Sequence, residues 1–425
     1  MVNVNSIGRR FIIFLIYYTL FIQGLMSLLG LPQVVLYFKD IIMIMIFCLC
    51  VFAYLQNKKA YRLKKMYVLW IILLTYCLFN GLLMGVSIFS ILISVRKMFR
   101  GFLFMFFCAK FLQLNDVSSV MHNCYKIQFL NVALILIQRI ILNLGQDYCN
   151  GIFGTGLTNN YMSLFCILVV GYCTVEYLGQ KCSARTFYVQ LGIVVVIMAV
   201  AELKVLFFML PIVLIIIFRE NFLIKLRGIK TLIVGVIVLG IGLLIFRFMY
   251  RNQLNVLTSI SGLMNYNQWG LATSSIVNRI NWIPYTWENI FGNSLQLRLF
   301  GIGFGSISGT LFGFESSSYL NALGYGSYCL STVFLEIGLV GLLFLCSWFI
   351  YYLFKSTKRY PNGYRKIHKR FSQAFVLTLI VFLDYSNFLF NDSSFLAFFG
   401  LSIILIVNKS NETLFEDKLL VQKLE

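Results

Sequence analysis

The sequence predicts an all-α, polytopic integral membrane protein, and three observations carry that expectation. Of the 425 residues, 60% are hydrophobic and 12% charged, with only 4 prolines. Apolar runs of roughly 15 to 25 residues recur from Phe11 to Val407. The basic residues fall in the short hydrophilic stretches between those runs. An aqueous globule has no way to bury this much apolar surface, so a bilayer is the solvent. No soluble-looking block interrupts the pattern before the last tail, and residues 1–425 read as one membrane domain.

The runs divide into about twelve spans: 11–29, 34–55, 66–85, 92–112, 127–144, 160–178, 188–201, 205–218, 231–249, 328–354, 371–390 and 395–407. Arg9 and Arg10 precede the first and give it the look of a secretory signal. No small-residue cleavage site follows, so it is expected to stay as a span. The seventh, eighth and twelfth are short for a full crossing, and either break or extend into their flanks. The segment 408–425 reads as a short mixed-charge tail.

Loop charges set the orientation, because Lys and Arg resist translocation while acidic residues matter little. Lys58, Lys59, Arg62, Lys64 and Lys65 follow the second span. Arg219, Lys225, Arg227 and Lys230 follow the eighth, and Lys355 to Arg370 carry seven more cations after the tenth. All share one parity, which places them and both termini in the cytoplasm. Connections on the other side are short, Gly30 to Gln33, Gly145 to Asn159 and Asn391 to Ser394, with one exception. Residues 250–327 form an extracytoplasmic loop of about 80 residues, rich in Asn, Gln, Ser and Gly, and loops of that length are usually functional.

The formal net charge of +20 would in another setting suggest a polyanion partner. Its distribution between spans is instead the positive-inside pattern, and nucleic acid is excluded as a partner. The 11 cysteines lie mostly within spans and lack metal-ligand spacing; Cys48 and Cys50 do not share a helix face. They read as small apolar packing residues, and no cofactor or metal is expected. The two histidines, His122 and His368, fall in predicted cytoplasmic loops and are expected to be solvated.

Residues with chemistry concentrate on the predicted outer side. Arg96, Lys97, Arg100, Lys204, Arg247, Arg251, Arg279 and Arg298 are the cations that the positive-inside bias leaves unexplained. A guanidinium offers a planar donor fork that suits phosphate oxygens, and a cationic cavity there would suit a lipid-linked phosphate or diphosphate. The competing reading for Arg247 and Arg251 in particular is contact with lipid headgroups. Arg139 sits inside an apolar run, where a central charge costs on the order of 3 kcal/mol, and so is expected to face a polar cavity. Outer carboxylates are few: Asp147, Glu202, Glu288, Glu315, Glu336 and Asp392. Glu315 is the candidate base for a glycosyl acceptor hydroxyl, with pairing to Arg279 or Arg298 as its alternative role. Loop aromatics, Trp282 among them, would either stack on sugar faces or form a belt at the membrane boundary.

Several local patterns resemble one family. Gly151-Ile-Phe-Gly-Thr-Gly-Leu-Thr-Asn159-Asn160-Tyr161 resembles the Gly-x-Phe…Asn stretch that opens a helix in Wzy-type polysaccharide polymerases and O-antigen ligases. Asn278-Arg279-Ile-Asn-Trp282, followed by Gly301-Ile-Gly303-Phe-Gly305, resembles their Arg…Trp and Gly-x-Gly pattern in the large outer loop. Glu336-Ile-Gly338-Leu-Val-Gly341 resembles the Glu-x-Gly-x-x-Gly that opens the following span. The resemblance runs from about 127 to 355.

It implies a metal-independent glycosyltransferase of the bacterial cytoplasmic membrane, acting on undecaprenyl-diphosphate-linked oligosaccharides as donor and acceptor in capsule, exopolysaccharide or O-antigen synthesis. Arg279 and Lys204 match the family's diphosphate contacts; with Glu315, the base read from the outer carboxylates, they form the expected catalytic set. Arg298, Arg251, Arg100, Arg96, Trp282, Asn159 and Asn160 form the expected substrate-binding set. A flippase and a chain-length regulator are the implied protein partners. The ligases' His-Asn pair is replaced here by Ser327-Tyr328, which favours the polymerase branch. A lipid-linked oligosaccharide flippase is the rival class: it too has about twelve spans and a cationic interior, but it needs no large outer loop.

Overall fold

The structure of the protein, a computed structural model, describes residues 4–57, 65–156, 158–219, 240, 244, 247, 277, 279–307, 320, 322–356 and 363–422. Among these residues the chain is helical and contains no strand. The helices are α1 (Val4–Leu29), α2 (Phe38–Asn57, after a 3-10 turn at Gln33–Tyr37), α3 (Lys65–Leu83), α4 (Ile88–Phe111), α5 (Leu114–Leu136, continued by a π turn at Ile137–Ile141), α6 (Asn159–Leu178), α7 (Ala184–Val200) and α8 (Lys204–Phe218). Two short helices follow, α9 (Trp282–Tyr285) and α10 (Leu295–Phe300). The long α11 (Cys329–Ser356), α12 (Gly363–Tyr385) and α13 (Ser393–Gln422) complete the order.

Among the described residues, five helical stretches are long and apolar enough to cross a membrane: Val4–Leu29, Gln33–Leu55, Leu114–Ile141, Asn159–Leu178 and Cys329–Phe354. The exposed side of α2 fits that reading, since Ile41, Ile44, Phe47, Phe52 and Leu55 are large, apolar and open, a surface only hydrocarbon solvates without cost. The most apolar 18-residue stretch is 28% buried in α2 and 89% buried in α6, so α6 is the axis of the bundle and α2 lies at its rim. Around α6 pack α5, α7, α8, α12 and α13, and α13 also lies along α4. The α7 and α8 helices, 17 and 15 residues long, rise only about 1.5 Å per residue, short of the roughly 30 Å hydrocarbon core. Of the ninth expected span only Gly240, Leu244 and Arg247 are described, and each is helical.

Local sequence explains several boundaries. The start of α5 at Leu114 precedes its apolar run because Gln113 and Asp116 form a capping box, with Gln113 N–H donating to Asp116 Oδ2 at 2.8 Å. Ser87 and Ser183 cap α4 and α7 by accepting the N–H of Ser90 and Thr186. A break inside α11 falls at Gly338 (φ 63°, ψ −166°), a conformation that a side chain would strain.

Candidate functional site

The connections α1–α2, α3–α4, π turn–α6, α7–α8 and α12–α13 all lie at one end of the bundle, together with the described residues 277 and 279–307. That end holds three groups of sequence-predicted residues.

The first is built on the two glycine motifs, which pack against each other. Ile302 N–H donates to Leu335 O and Gly303 N–H to Glu336 O, each at 2.9 Å. Gly301 (φ +75°) leaves no room for a side chain, because a Cβ would sit 2.5 Å from Glu336 O. Asn80 of α3 clamps the same segment, donating to Phe300 O at 2.6 Å and accepting from Phe304 N–H at 2.8 Å. Glu336 is fully buried, and its Oε1 accepts Ile307 N–H at 2.8 Å. Expected as an outward carboxylate, Glu336 instead ties the loop to the kink in α11.

Beside this clamp, in one apolar cluster with Phe334 and Leu335, lies Trp282, three residues after Arg279. Trp282 is 5% exposed, packs edge-on against Phe334 and donates from Nε1 to Asp384 Oδ1 at 3.0 Å. Its ring is core, so it positions the loop and offers no open face for a sugar. The Arg279 guanidinium lies 4.5 Å from the Tyr385 ring centroid and 5.4 Å from that of Tyr328. Its Nε is buried without a hydrogen-bond acceptor, and no carboxylate among the described residues is within ion-pair distance of it. Arg298 has a similar setting, 4.5 Å over Trp287 with an unaccepted Nε.

The second group lies across the α12–α13 connection. Asp392 is 8% exposed and forms ion pairs with Lys39 of α2 and with Arg100 of α4, the latter at 3.0 Å. Gln23 of α1 donates to its other oxygen at 3.1 Å, and Arg100 also donates to Phe390 O. Burial by itself would raise the Asp392 carboxyl, but Arg100, Lys39 and the hydrogen bonds from Lys39 and Gln23 outweigh it and hold the group at about 2. One turn earlier on α4, Arg96 pairs with Asp40 and lies over the Tyr37 ring.

The third group joins two sequence-predicted positions. Lys204 pairs with Glu202 at 2.6 Å, and Asn159 donates to Asp147 Oδ1 at 3.1 Å, a carboxylate within electrostatic reach of Glu202. The Glu202 carboxyl is raised by burial, with Lys204 opposing. Asn160 is half-buried at the start of α6. The Gly151 stretch before it docks on neighbouring helices: Gly151 N–H donates to Gln138, Ile152 N–H to Asn131, and a Cβ at Gly24 of α1 would collide with Ile152 O.

Glu315 and Arg251 lie outside the described residues. Arg139 donates to Leu144 O at 2.7 Å, satisfying a carbonyl just past the π turn. His368 is fully buried on α12 against the Tyr172 ring, not solvated. The reason is that α12 starts at Gly363, within the basic stretch, and its inward face takes His368 with it. His122 is solvent-facing as expected, although it sits on α5.

Besides Asp40, the partner of Arg96, two buried or half-buried carboxylates escaped the sequence reading. Asp384 holds Trp282 beside Arg279. At the opposite end, fully buried Glu176 accepts hydrogen bonds from Ser118 at 2.8 Å and Tyr125 at 2.9 Å. A lone acid within or at the edge of an apolar run was the available signal for both, because such residues are costly unless paired. No protein-family model, no curated protein and no solved structure matches the chain.

Proposed function

We propose that the protein is a repeat-unit polymerase that joins undecaprenyl-diphosphate-linked oligosaccharides on the outer face of a bacterial cytoplasmic membrane. The setting of Arg279 carries this reading. Arg96, Arg100 and Lys204 are each in contact with a carboxylate, whereas Arg279 is held between two aromatic rings with no described carboxylate in contact and a donor to spare. A guanidinium placed so is available to a phosphate group of a substrate.

In the proposed reaction the acceptor hydroxyl attacks the anomeric carbon of the donor. The bond from that carbon to the diphosphate oxygen breaks, and the hydroxyl proton passes to a carboxylate. Negative charge develops on the departing diphosphate, where Arg279, with Arg298 beyond it, would stabilise it; such electrostatic stabilisation is usually the largest contribution to rate. Glu315 is the base assigned from sequence, and Asp384, beside Arg279, is the carboxylate that the geometry adds. Lys204, assigned from sequence to hold the diphosphate with Arg279, pairs with Glu202 at the α7–α8 turn. The twelve-span topology, with both termini in the cytoplasm, belongs to the same proposal.

Deleting the gene tests the reading against its flippase rival. A polymerase meets units that are already outside, so its loss leaves single lipid-linked units there and no long chains. An impermeant lectin should then reach those units in intact cells lacking their outer barrier. Units shielded from the lectin would point to a flippase, and persistence of long polymer would defeat both.

A further inference from the structure

Between α2, α3 and α4 lies a groove of about 380 Å³, within the size range of small-molecule sites. Its outer wall is apolar and open: Ile44 is 64%, Ile71 49% and Leu103 43% exposed. Bilayer components are the molecules that reach such a surface. Asp40, Arg96 and Arg100 also line the groove, so an apolar channel meets a charged patch.

Two observations identify what the patch lacks. The Trp70 indole N–H and the Arg100 Nε–H, on side chains 1% and 7% exposed, both have no acceptor. They lie at the same level of the bundle, since Trp70 packs on Phe99 and Phe102, the residues flanking the Arg100–Gly101 step of α4. Buried donors left unpaired are costly, more so away from water. The local charge is also uneven. Lys39, Arg96 and Arg100 share two contacting carboxylates, Asp40 and Asp392, with Lys97 in electrostatic reach of both arginines. Counting Glu336, whose charge reaches Lys97, still leaves cations in excess. Acceptor oxygens bearing negative charge would complete both the hydrogen bonding and the charge.

We propose that the α2–α3–α4 groove is a binding site for an anionic glycerophospholipid of the surrounding bilayer, with one acyl chain along Ile44, Ile71 and Leu103 and its phosphate and ester oxygens at Arg96, Arg100 and Trp70. The site would join the rim helix α2 to the bundle, and it does not depend on the polymerase reading.

The test uses the full chain purified in detergent and depleted of lipid, with dioleoyl phosphatidylglycerol and dioleoyl phosphatidylcholine as probes. Phosphatidylglycerol should raise Tm by at least about 3 °C while phosphatidylcholine does not, and native mass spectrometry should show one retained phosphatidylglycerol. Ile71→Trp, which fills the groove from its open side, should abolish both effects. Arg96→Gln, which keeps the groove, should reduce the shift and the preference between headgroups. Equal shifts with both lipids would overturn the proposal, because the headgroup would not be read. A phosphatidylglycerol shift unchanged in Ile71→Trp would also overturn it, as would ready displacement of the bound lipid by a polyprenyl diphosphate. Should Ile71→Trp not fold, the Arg96→Gln comparison decides alone.

Discussion

Replacing Asp392 by asparagine keeps the volume of the side chain and removes one charge from the most buried ionic cluster described. Lys39 is 2% exposed and Arg100 7%, so the substitution leaves two cations facing each other away from water with no counter-charge between them. Breaking a buried pair in this way costs about 3–5 kcal/mol. The carboxyl itself points the same way: held at about 2, well below the ordinary value of an aspartate, it prefers its charged form in the fold. In a chain of this length each kcal/mol lowers Tm by roughly 2 °C or a little more, so Asp392→Asn should melt about 5–10 °C below the wild type. The measurement is Tm in detergent, read by the fraction remaining monodisperse after heating. The double variant Asp392→Asn with Lys39→Met should recover part of the loss, because one of the stranded charges has gone. Linkage sets the pH window. A depressed carboxyl contributes stability that is present above its unfolded value of 3.8 and lost as pH falls through about 2, so the deficit should be constant from pH 5 to 8. A single variant within about 2 °C of the wild type, or a double variant no better than the single, would refute the reasoning.

Other expectations follow from particular contacts. Gly301→Ala, at φ +75° with a Cβ 2.5 Å from Glu336 O, should abolish folded protein, whereas Gly192→Ala, on α7 with open space around it, should be neutral or stabilising by up to about 1 kcal/mol; size-exclusion profiles of the two compare them directly. Glu336→Gln keeps an acceptor for Ile307 N–H and should stay within about 1 kcal/mol of the wild type, while Glu336→Ala removes that acceptor and should lose about 1–3 kcal/mol, read as Tm. Arg279→Ala should eliminate polymer with membrane expression intact, and Arg279→Lys should restore little because an ammonium cannot reproduce bidentate donation; full-length polymer from a stable alanine variant rejects the assignment. For topology, an impermeant thiol reagent should label Ser275→Cys and spare Arg365→Cys in a background with interfering native cysteines removed, and the reverse pattern would invert the orientation.

The sequence by itself determined the class of the molecule and most of its helices, because both depend on local quantities. A run such as Ile41 to Val51 is apolar enough to seek hydrocarbon whatever packs beside it, and Ser87 or Gln113 caps its helix through neighbours three residues away. The sequence also picked out Arg279, Trp282 and the two glycine motifs as an ordered set, and these are the segments that the fold clamps together. What each of these residues does was decided by tertiary structure, since role depends on partners distant in the chain. Glu336 reads as an outward acid from its position and is an internal clamp because Ile307 lies against it. Trp282 reads as a sugar platform or as part of a belt at the membrane boundary, and is core because Phe334 and Asp384 close over it. Arg100 reads as a free cation, yet Asp392, nearly three hundred residues later, pairs with it, while no described carboxylate is in contact with Arg279. A charge in a low-dielectric bundle is defined by its counter-charge, and which helix supplies that counter-charge is a property of the packing.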